Sequence, residues 1–136
     1  MFHEMSYRVP YADTDQMGVV YYANYLEYFE RSRTEMLREA GLSYRDMEEM
    51  GYFLPVAEAY CKYSGSARYD DLLTFRSTVE EISRVKLKIR SDVIRDGKVL
   101  VSGFVTLGCV NRDFRISRLP EKMIECCNKY LMEKEI

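Results

Sequence analysis

Two carboxylates, Asp13 and Asp15, stand just before a glycine, Gly18, and a long segment of helical periodicity. Carboxylates are stabilised near the positive end of a helix, and the free backbone N–H groups of its first turn can bind a carbonyl oxygen or an anion. Acyl transfer needs both features, because one group must attack or activate water while donors stabilise the tetrahedral oxygen. The alternative is structural, since an acidic loop before a helix often only complements the helix dipole.

The segment that must position these groups is predicted to be a helix from Tyr22 to Ala40. Its apolar residues recur at offsets of three, four and seven: Tyr22, Tyr25, Leu26, Phe29, Met36, Leu37 and Ala40. Opposite charges three or four apart, such as Glu27 and Arg31, occupy the other faces. Gly41 supplies a left-handed cap. At about 1.5 Å per residue the rod would be roughly 27 Å long, enough to cross a small sheet.

Five other segments predict β-strands, at residues 2–10, 53–63, 72–82, 85–94 and 99–110. The cleanest two-residue period lies in the fourth, and Asp96-Gly97 after it predicts a tight hairpin. The fifth strand is apolar on both faces, which favours a central position covered on both sides. Ala57 and Ala59 put small side chains on one face of the second strand, where the long helix is expected to lie close above them.

Two shorter helices complete the pattern. Ser43 and Asp46 fit a capping-box variant that starts a short second helix. Pro120 opens the last helix, whose apolar positions fall on one stripe: Met123, Ile124, Cys127, Tyr130 and Leu131. Because four strands follow the long helix without alternating helices, the order predicts an α+β fold with an antiparallel sheet covered on one face.

Length and composition favour one domain spanning residues 1–136, with no Pro- or Gly-rich linker. The 20 basic and 22 acidic residues nearly balance, so no charge-driven binding to nucleic acid or membrane is expected. The chain shows neither a leader nor an apolar run long enough to span a bilayer, which predicts a cytoplasmic protein. Four cysteines without a C-x-x-C pair, and a single histidine, make a zinc site improbable; no metal is expected, and the cysteines are predicted to be buried thiols.

Residues 13–33 read Asp-Thr-Asp-Gln-Met-Gly-Val-Val-Tyr-Tyr-Ala-Asn-Tyr-Leu-Glu-Tyr-Phe-Glu-Arg-Ser-Arg. This stretch resembles the signature of the acyl-CoA thioesterases of the hotdog superfamily. It is similar to the 4-hydroxybenzoyl-CoA thioesterase branch, which includes bacterial enzymes encoded beside the Tol–Pal envelope system. The resemblance implies the hotdog fold, an antiparallel sheet wrapped around one long α-helix, in agreement with the predicted elements. It also implies hydrolysis of acyl-CoA to free acid and CoA without a cofactor, with an acyl carrier protein thioester as the alternative substrate.

The resemblance assigns roles residue by residue. Asp15 matches the catalytic aspartate, and its carboxylate could either attack the thioester or activate water; the two routes stay open. Tyr22 matches the position whose backbone N–H polarises the thioester carbonyl, and its side chain need only line the pocket. Asp13 is the rival carboxylate, interpreted as capping the loop or accepting from backbone amides. Gly18 is expected to let the chain turn into the helix.

Supporting and substrate-binding residues follow in the same way. Asn24 and Tyr25 match the motif, although an asparagine at a helix start more often satisfies backbone groups. Coenzyme A brings phosphates, for which Arg68, Arg84 and Lys86 are the candidate ligands, each with an ordinary solvated charge as the alternative. Because one helix cannot cover both faces and edges of a sheet, a homodimer is expected; the resemblance implies sites between protomers and further assembly into tetramers.

Two other functions compete with hydrolysis. One is a non-catalytic protein that binds acyl groups or CoA on the same fold. The other is a hotdog dehydratase, which pairs a histidine with a carboxylate. Many relatives carry histidine at the position of Tyr22, but this chain does not, and His3 is its only histidine. A mechanism that uses histidine at position 22 is therefore excluded, and the intact Asp-x-x-Gly motif favours the hydrolase.

Overall fold

A computed structural model describes residues 1–132. The strands are β1 (His3–Arg8), β2 (Val56–Tyr63), β3 (Leu72–Ile82), β4 (Lys86–Arg95) and β5 (Lys98–Gly108), and the α-helices are α1 (Asn24–Ala40), α2 (Tyr44–Glu49) and α3 (Glu121–Asn128). The strands form one antiparallel sheet in the order β1-β3-β4-β5-β2. The predicted α+β architecture, with one long helix against an antiparallel sheet, is confirmed.

The core lies between α1 and one face of the sheet. Alternate residues of β3 and β4 point toward the helix and are buried: Leu73, Phe75, Ser77 and Val79 on β3, and Leu87, Ile89, Ser91 and Val93 on β4. A chain of three serines crosses this core. The hydroxyl of Ser77 lies 2.5 Å from that of Ser32 on α1 and 2.9 Å from that of Ser91. These polar groups are fully enclosed but satisfy one another, which is what burial of hydroxyls requires.

Helix α1 begins two residues later than the pattern predicted, because Tyr22 and Ala23 form a turn ahead of Asn24. Its C-terminal end agrees with the prediction, since Gly41 adopts a φ of 107° and caps it. The buried face differs in detail: Tyr22 and Leu26 are exposed, whereas Tyr28, Ser32 and Arg33 are buried. Apolar spacing located the helix but missed part of its face, because hydrogen bonds allow polar side chains and tyrosine hydroxyls to be buried there.

The hairpin and the second cap follow their local sequence. Asp96 and Gly97 have φ values of 51° and 77° and join β4 to β5 through two residues, the conformation that twisted hairpins favour. The capping box is formed as predicted: the Ser43 hydroxyl accepts from the Asp46 N–H at 3.1 Å, and the Asp46 carboxylate accepts from the Ser43 N–H at 3.0 Å. Helix α3 ends at Asn128, so Tyr130 and Leu131 lie beyond it.

Two predictions about which parts of the sheet are covered are wrong within the protomer. Strand β5 is internal in the sheet, but only its helix-facing residues are buried, and Phe104 on the other face is half-exposed. Strand β2 forms a sheet edge and is exposed along most of its length, including Ala57 and Ala59. The reason is geometric, because one helix covers the centre of one face and leaves β2 uncovered beside it.

Candidate active site

The acidic loop, residues 13–18, is a tight turn at the start of the site. The Asp15 N–H donates to the Val19 carbonyl at 2.9 Å, and the Gly18 N–H donates to the Asp15 carbonyl at 3.0 Å. Gly18 has a φ of 80°, a left-handed conformation that glycine adopts without strain. An extended bridge between Thr14 and Val20 closes the loop. The chain therefore turns back on itself around Asp15, as the sequence predicted from Gly18.

The Asp15 side chain is half-buried at this turn. Its Oδ1 accepts from the Met17 N–H at 2.9 Å, which fixes the carboxylate relative to the loop backbone. No residue from 1 to 132 donates to its second oxygen, Oδ2. One oxygen is therefore held in place, and the other is open to a substrate or a water molecule.

The helix start, residues 21–24, follows the acidic loop in the chain. Two of its backbone N–H groups have acceptors within the fold and two do not. The Tyr21 N–H donates to the Asp13 carbonyl at 2.9 Å, and the Asn24 N–H donates to the Tyr21 carbonyl at 2.9 Å. Between them, the N–H groups of Tyr22 and Ala23 have no acceptor within the part of the chain that the structure describes. Free N–H groups at the positive end of a helix are a site for an oxyanion.

Asp13 does not share the role of Asp15. Its Oδ2 accepts from two tyrosine hydroxyls, those of Tyr7 on β1 and Tyr28 on α1, each at 2.8 Å. Burial and the bond to Asp13 raise the pKa of Tyr7 to about 12, and the same two causes raise the pKa of Tyr28 well above its ordinary value. The carboxylate thus binds hydroxyls rather than the backbone amides expected from the sequence.

The side chains of Asn24 and Tyr25, the two remaining motif residues, form hydrogen bonds with other parts of the protomer. The Asn24 side-chain amide donates to the Asp13 carbonyl at 2.9 Å, which is the backbone role anticipated for it. The Tyr25 hydroxyl is buried and accepts from the Ala67 N–H at 3.1 Å. Both side chains therefore make hydrogen bonds within the fold that help to shape the site.

A second loop, residues 64–71, lies against the acidic loop. The Val20 N–H donates to the Ala67 carbonyl at 2.8 Å, and Val19 forms a bridge with Arg68, so Arg68 lies beside the acidic loop. Arg95, at the end of β4, donates to the Ser66 carbonyl at 3.2 Å and to the Asp71 carboxylate at 2.7 Å. These bonds attach the second loop to the rigid sheet.

Replacing Arg95 with glutamine should destabilise this loop in a pH-dependent way. Burial alone would raise the pKa of Asp71, but donation from Arg95 and from the Arg68 N–H outweighs it and holds that pKa below its ordinary value. Such a carboxylate stabilises the fold above its unfolded-state pKa and loses this contribution as the pH falls through its folded-state pKa.

We therefore expect Arg95→Gln to lower Tm by about 2–4 °C at neutral pH, the scale of a partly exposed ion pair. The difference from wild type should narrow below about pH 4, where Asp71 takes up a proton. Thermal unfolding of both proteins between pH 2 and 8 measures this, with Arg115→Gln as the exposed control. A difference that stays constant down to pH 2 would contradict the role of the pair.

Tyrosine rings surround the helix start. The rings of Tyr22 and Tyr63 meet edge to face at 6.4 Å between centroids, and those of Tyr25 and Tyr63 at 5.6 Å. The Tyr63 hydroxyl, at the end of β2, donates to the Tyr22 carbonyl at 3.3 Å, and burial is the main cause that raises its pKa to about 12. The Tyr22 side chain itself is 62% exposed.

The other two candidate phosphate ligands lie elsewhere in the protomer. Arg84 and Lys86 sit at the turn between β3 and β4, whereas the acidic loop adjoins the opposite end, near Arg95. Lys86 and Arg95 bound β4, and at about 3.3 Å per residue they are roughly 30 Å apart. The protomer therefore brings Arg68 to the acidic loop but not Arg84 or Lys86.

The four cysteines lie outside the acidic loop and the helix start. All four cysteines are free; Cys109, Cys126 and Cys127 are buried, and Cys61 is partly exposed. Within residues 1–132, no group of three or more His, Cys, Asp or Glu side chains could hold a metal ion. Over the same range, no helix combines the length and the apolar character needed to cross a membrane.

Comparisons with known proteins match this chain to thioesterases. Residues 9–126 match the family described as the thioesterase-like superfamily. The acyl-CoA thioesterase YbgC of Haemophilus influenzae is 35% identical over 105 residues, which cover 76% of this chain and 77% of that protein. The crystal structure of the DHNA-CoA thioesterase of Staphylococcus aureus is 31% identical with a TM-score of 0.84, covering 87% of this chain and 80% of that one.

A more distant structure shares the fold. A mutant 4-hydroxybenzoyl-CoA thioesterase, solved as a complex with 4-hydroxybenzoyl-CoA, superposes with a TM-score of 0.84 at 23% identity, over 93% of this chain and 98% of that one. The resemblance found in residues 13–33 is thus confirmed over most of the chain. This protein belongs to the thioesterase-like superfamily and is a hotdog-fold thioesterase.

Proposed function

We propose that this protein hydrolyses acyl-CoA thioesters to a free carboxylic acid and CoA, with Asp15 as the catalytic carboxylate. One observation carries the proposal: a half-buried carboxylate with one open oxygen shares a short segment with two backbone N–H groups that have no acceptor among residues 1–132. That is the pair of functions acyl transfer requires, a group that attacks or activates water and donors for the oxyanion.

Two routes use the open oxygen of Asp15, and both give the same products. As a nucleophile, Asp15 forms a bond to the thioester carbon while the C–S bond breaks, and the thiolate leaves with its electron pair. Water then cleaves the resulting anhydride and restores the carboxylate. As a general base, Asp15 instead takes a proton from the attacking water, and the departing thiolate is protonated in turn. Because a thiolate is a good leaving group, neither route needs a strong general acid.

The oxyanion is proposed to accept a hydrogen bond from the N–H of Tyr22, and the neighbouring N–H of Ala23 is available as a second donor. Donation at the positive end of α1 stabilises the charge that develops on the carbonyl oxygen, more in the transition state than in the ground state. Tyr63 supports this arrangement, because its hydroxyl holds the carbonyl of the same residue, Tyr22.

A groove between α1 and β2 offers a place for the acyl group. It has a volume of about 250 Å³, and its lining combines the apolar Leu26, Val56, Ala59 and Val105 with the charged Glu27, Glu30 and Arg33. Leu26 lies about one helical turn after Tyr22, so an acyl chain extending from the oxyanion site would enter the groove. Arg68 is the candidate for a CoA phosphate in the same protomer; Arg84 and Lys86 could contribute only from a second protomer.

We propose that the protein forms a homodimer through the edge of β2, which could pair further into a tetramer. The supporting observation is the exposure of β2, where Val56, Tyr60 and Tyr63 are 52%, 51% and 47% exposed. An uncovered edge strand with large apolar side chains is a site for pairing with a second copy. The acyl groove lies beside this edge, so a partner would close it.

Ala59→Glu should break this association. Ala59 lines the groove, where one arginine, Arg33, already faces two glutamates, Glu27 and Glu30. In a dimer the substitution would enclose two further carboxylates, at a cost of about 3–5 kcal/mol for each charge left unpaired. Sedimentation velocity should give wild type a mass of two or four times 16.1 kDa and the variant a mass near 16.1 kDa. Asn128→Glu, on an exposed position of α3, is the control. A monomeric wild type, or an Ala59→Glu protein of unchanged mass, would refute the proposed interface.

The direct test of function is thiol release from a panel of aliphatic and aromatic acyl-CoAs. Wild type should release CoA from at least one of them, and Asp15→Asn should not do so at a comparable rate. If wild type binds acyl-CoA but releases no thiol from any member of the panel, the protein is a non-catalytic acyl-binding module instead.

A further inference from the structure

Asp13 lies at the junction of the elements that form the site, and its side chain is tied to two of them. Its Oδ2 accepts hydrogen bonds from the hydroxyls of Tyr7, on the first strand, and Tyr28, on the long helix, both at 2.8 Å. The two donors are 21 residues apart in sequence, so one carboxylate oxygen connects β1 to α1.

The hydroxyls that hold Asp13 are themselves fixed by the core. Both tyrosine rings stack on Phe75 of β3, with centroid distances of 5.1 Å for Tyr7 and 4.9 Å for Tyr28. Tyr28 is fully buried. A rigid aromatic cluster therefore presents two donors at a fixed position, and the Asp13 carboxylate is held there rather than moving with an exposed loop.

The backbone of the same residue holds the other side of the site. The Asp13 carbonyl accepts from the Tyr21 N–H and from the Asn24 side-chain amide, each at 2.9 Å. The first bond takes up the backbone N–H of Tyr21, and the second holds the side chain of Asn24, whose own N–H donates to the Tyr21 carbonyl. Between them, the N–H groups of Tyr22 and Ala23 have no acceptor among residues 1–132.

We infer that Asp13 is a positioning residue: its carboxylate fixes the acidic loop to the core, and its carbonyl holds the helix start through the Tyr21 N–H and the Asn24 side chain, on either side of the N–H groups proposed for the oxyanion. Asp15 lies two residues further on, so both the catalytic carboxylate and the oxyanion donors take their positions from Asp13. This inference rests on the proposed function and extends it to Tyr7 and Tyr28, which anchor Asp13 without touching the substrate.

The test removes the anchors and leaves the site residues intact. In the double variant Tyr7→Phe with Tyr28→Phe, the rings still pack on Phe75 but no hydroxyl reaches Asp13. We expect kcat to fall at least about 10-fold, because small displacements of reacting groups are costly, while KM changes less than about 3-fold. Ser91→Ala is the matched control, since it also removes a buried hydroxyl bond, far from the acidic loop, and should keep the wild-type kcat.

A second measurement does not depend on activity. Amide hydrogen exchange should accelerate at Tyr21 and Asp15 in the double variant and stay unchanged in the centre of β4, because the loop loses its anchor but the sheet does not. Unchanged exchange at both amides, or an equal fall in kcat for the double variant and Ser91→Ala, would overturn the inference.

These experiments distinguish a failure of the proposed function, hydrolysis with Asp15, from a failure of the positioning role of Asp13. If Asp15→Asn keeps wild-type activity, the proposed function fails, and the exchange measurement alone decides the role of Asp13. If Asp15→Asn is inactive but the tyrosine double variant turns over like wild type with normal exchange, only the positioning role fails.

Discussion

Asp15→Asn should lower kcat for acyl-CoA hydrolysis by at least about 10²-fold, the scale expected when a nucleophile or general base is removed. Asparagine is nearly isosteric, and its side-chain oxygen can still accept from the Met17 N–H, so the turn should keep its shape. What is lost is the negative charge and the open oxygen that can attack carbon or accept a proton. Binding of CoA should persist, because no contact assigned to CoA involves Asp15.

The measurement is steady-state thiol release with a thiol reagent, for both proteins at matched concentration. Asp113→Asn is the control, because this carboxylate is exposed on a different loop, after β5. An unchanged Tm for Asp15→Asn would show that the loss is chemical rather than structural. An Asp15→Asn enzyme as fast as wild type would remove Asp15 from the mechanism.

Gly103→Ala should destabilise the protein by about 3 kcal/mol or more, the upper range for overpacking a core. Gly103 lies on β5 opposite Cys61, where a Cβ atom would collide with the Tyr60 carbonyl of β2 and lie 2.9 Å from the Phe29 ring of α1. Neither neighbour can move easily, because one is backbone in the sheet and the other is a buried aromatic ring. The change would push β2 and α1 apart.

Chemical denaturation of Gly103→Ala beside Gly108→Ala tests this prediction. Gly108 is also on β5, but a Cβ atom there meets nothing within 4 Å, so its substitution should change stability by less than about 1 kcal/mol. Because β2 carries Tyr63, whose hydroxyl holds the Tyr22 carbonyl, Gly103→Ala should also reduce activity. Equal stability of the two alanine variants would show that the sheet absorbs the extra methyl group.

Local sequence was sufficient for much of the fold. The long helix, its Gly41 cap, the two-residue turn at Asp96-Gly97 and the Ser43 capping box depend on residues close together in the chain, and each was predicted correctly. The positive φ of Gly18 also follows from its place in a tight turn. Such features are determined locally because backbone conformation and short-range hydrogen bonds decide them.

The tertiary structure decided how distant segments meet. No spacing in the sequence indicated that Tyr7 and Tyr28 would share the Asp13 carboxylate, since that contact requires β1 and α1 to lie side by side. The separation of Arg84 and Lys86 from the acidic loop likewise depends on which way β4 runs in the sheet.

The sequence by itself therefore determined the helix, the strands and a carboxylate-bearing turn, because each arises from periodicity or turn chemistry within a few residues. Only the folded chain determined how this turn is held in place. The bonds that leave one Asp15 oxygen and two N–H groups without partners among residues 1–132 are themselves short-range, from the N–H groups of Met17, Tyr21 and Asn24. Tyr7 and Tyr28, which hold the carboxylate of Asp13 and with it the loop, come from β1 and α1, and only packing of the core brings these two elements together.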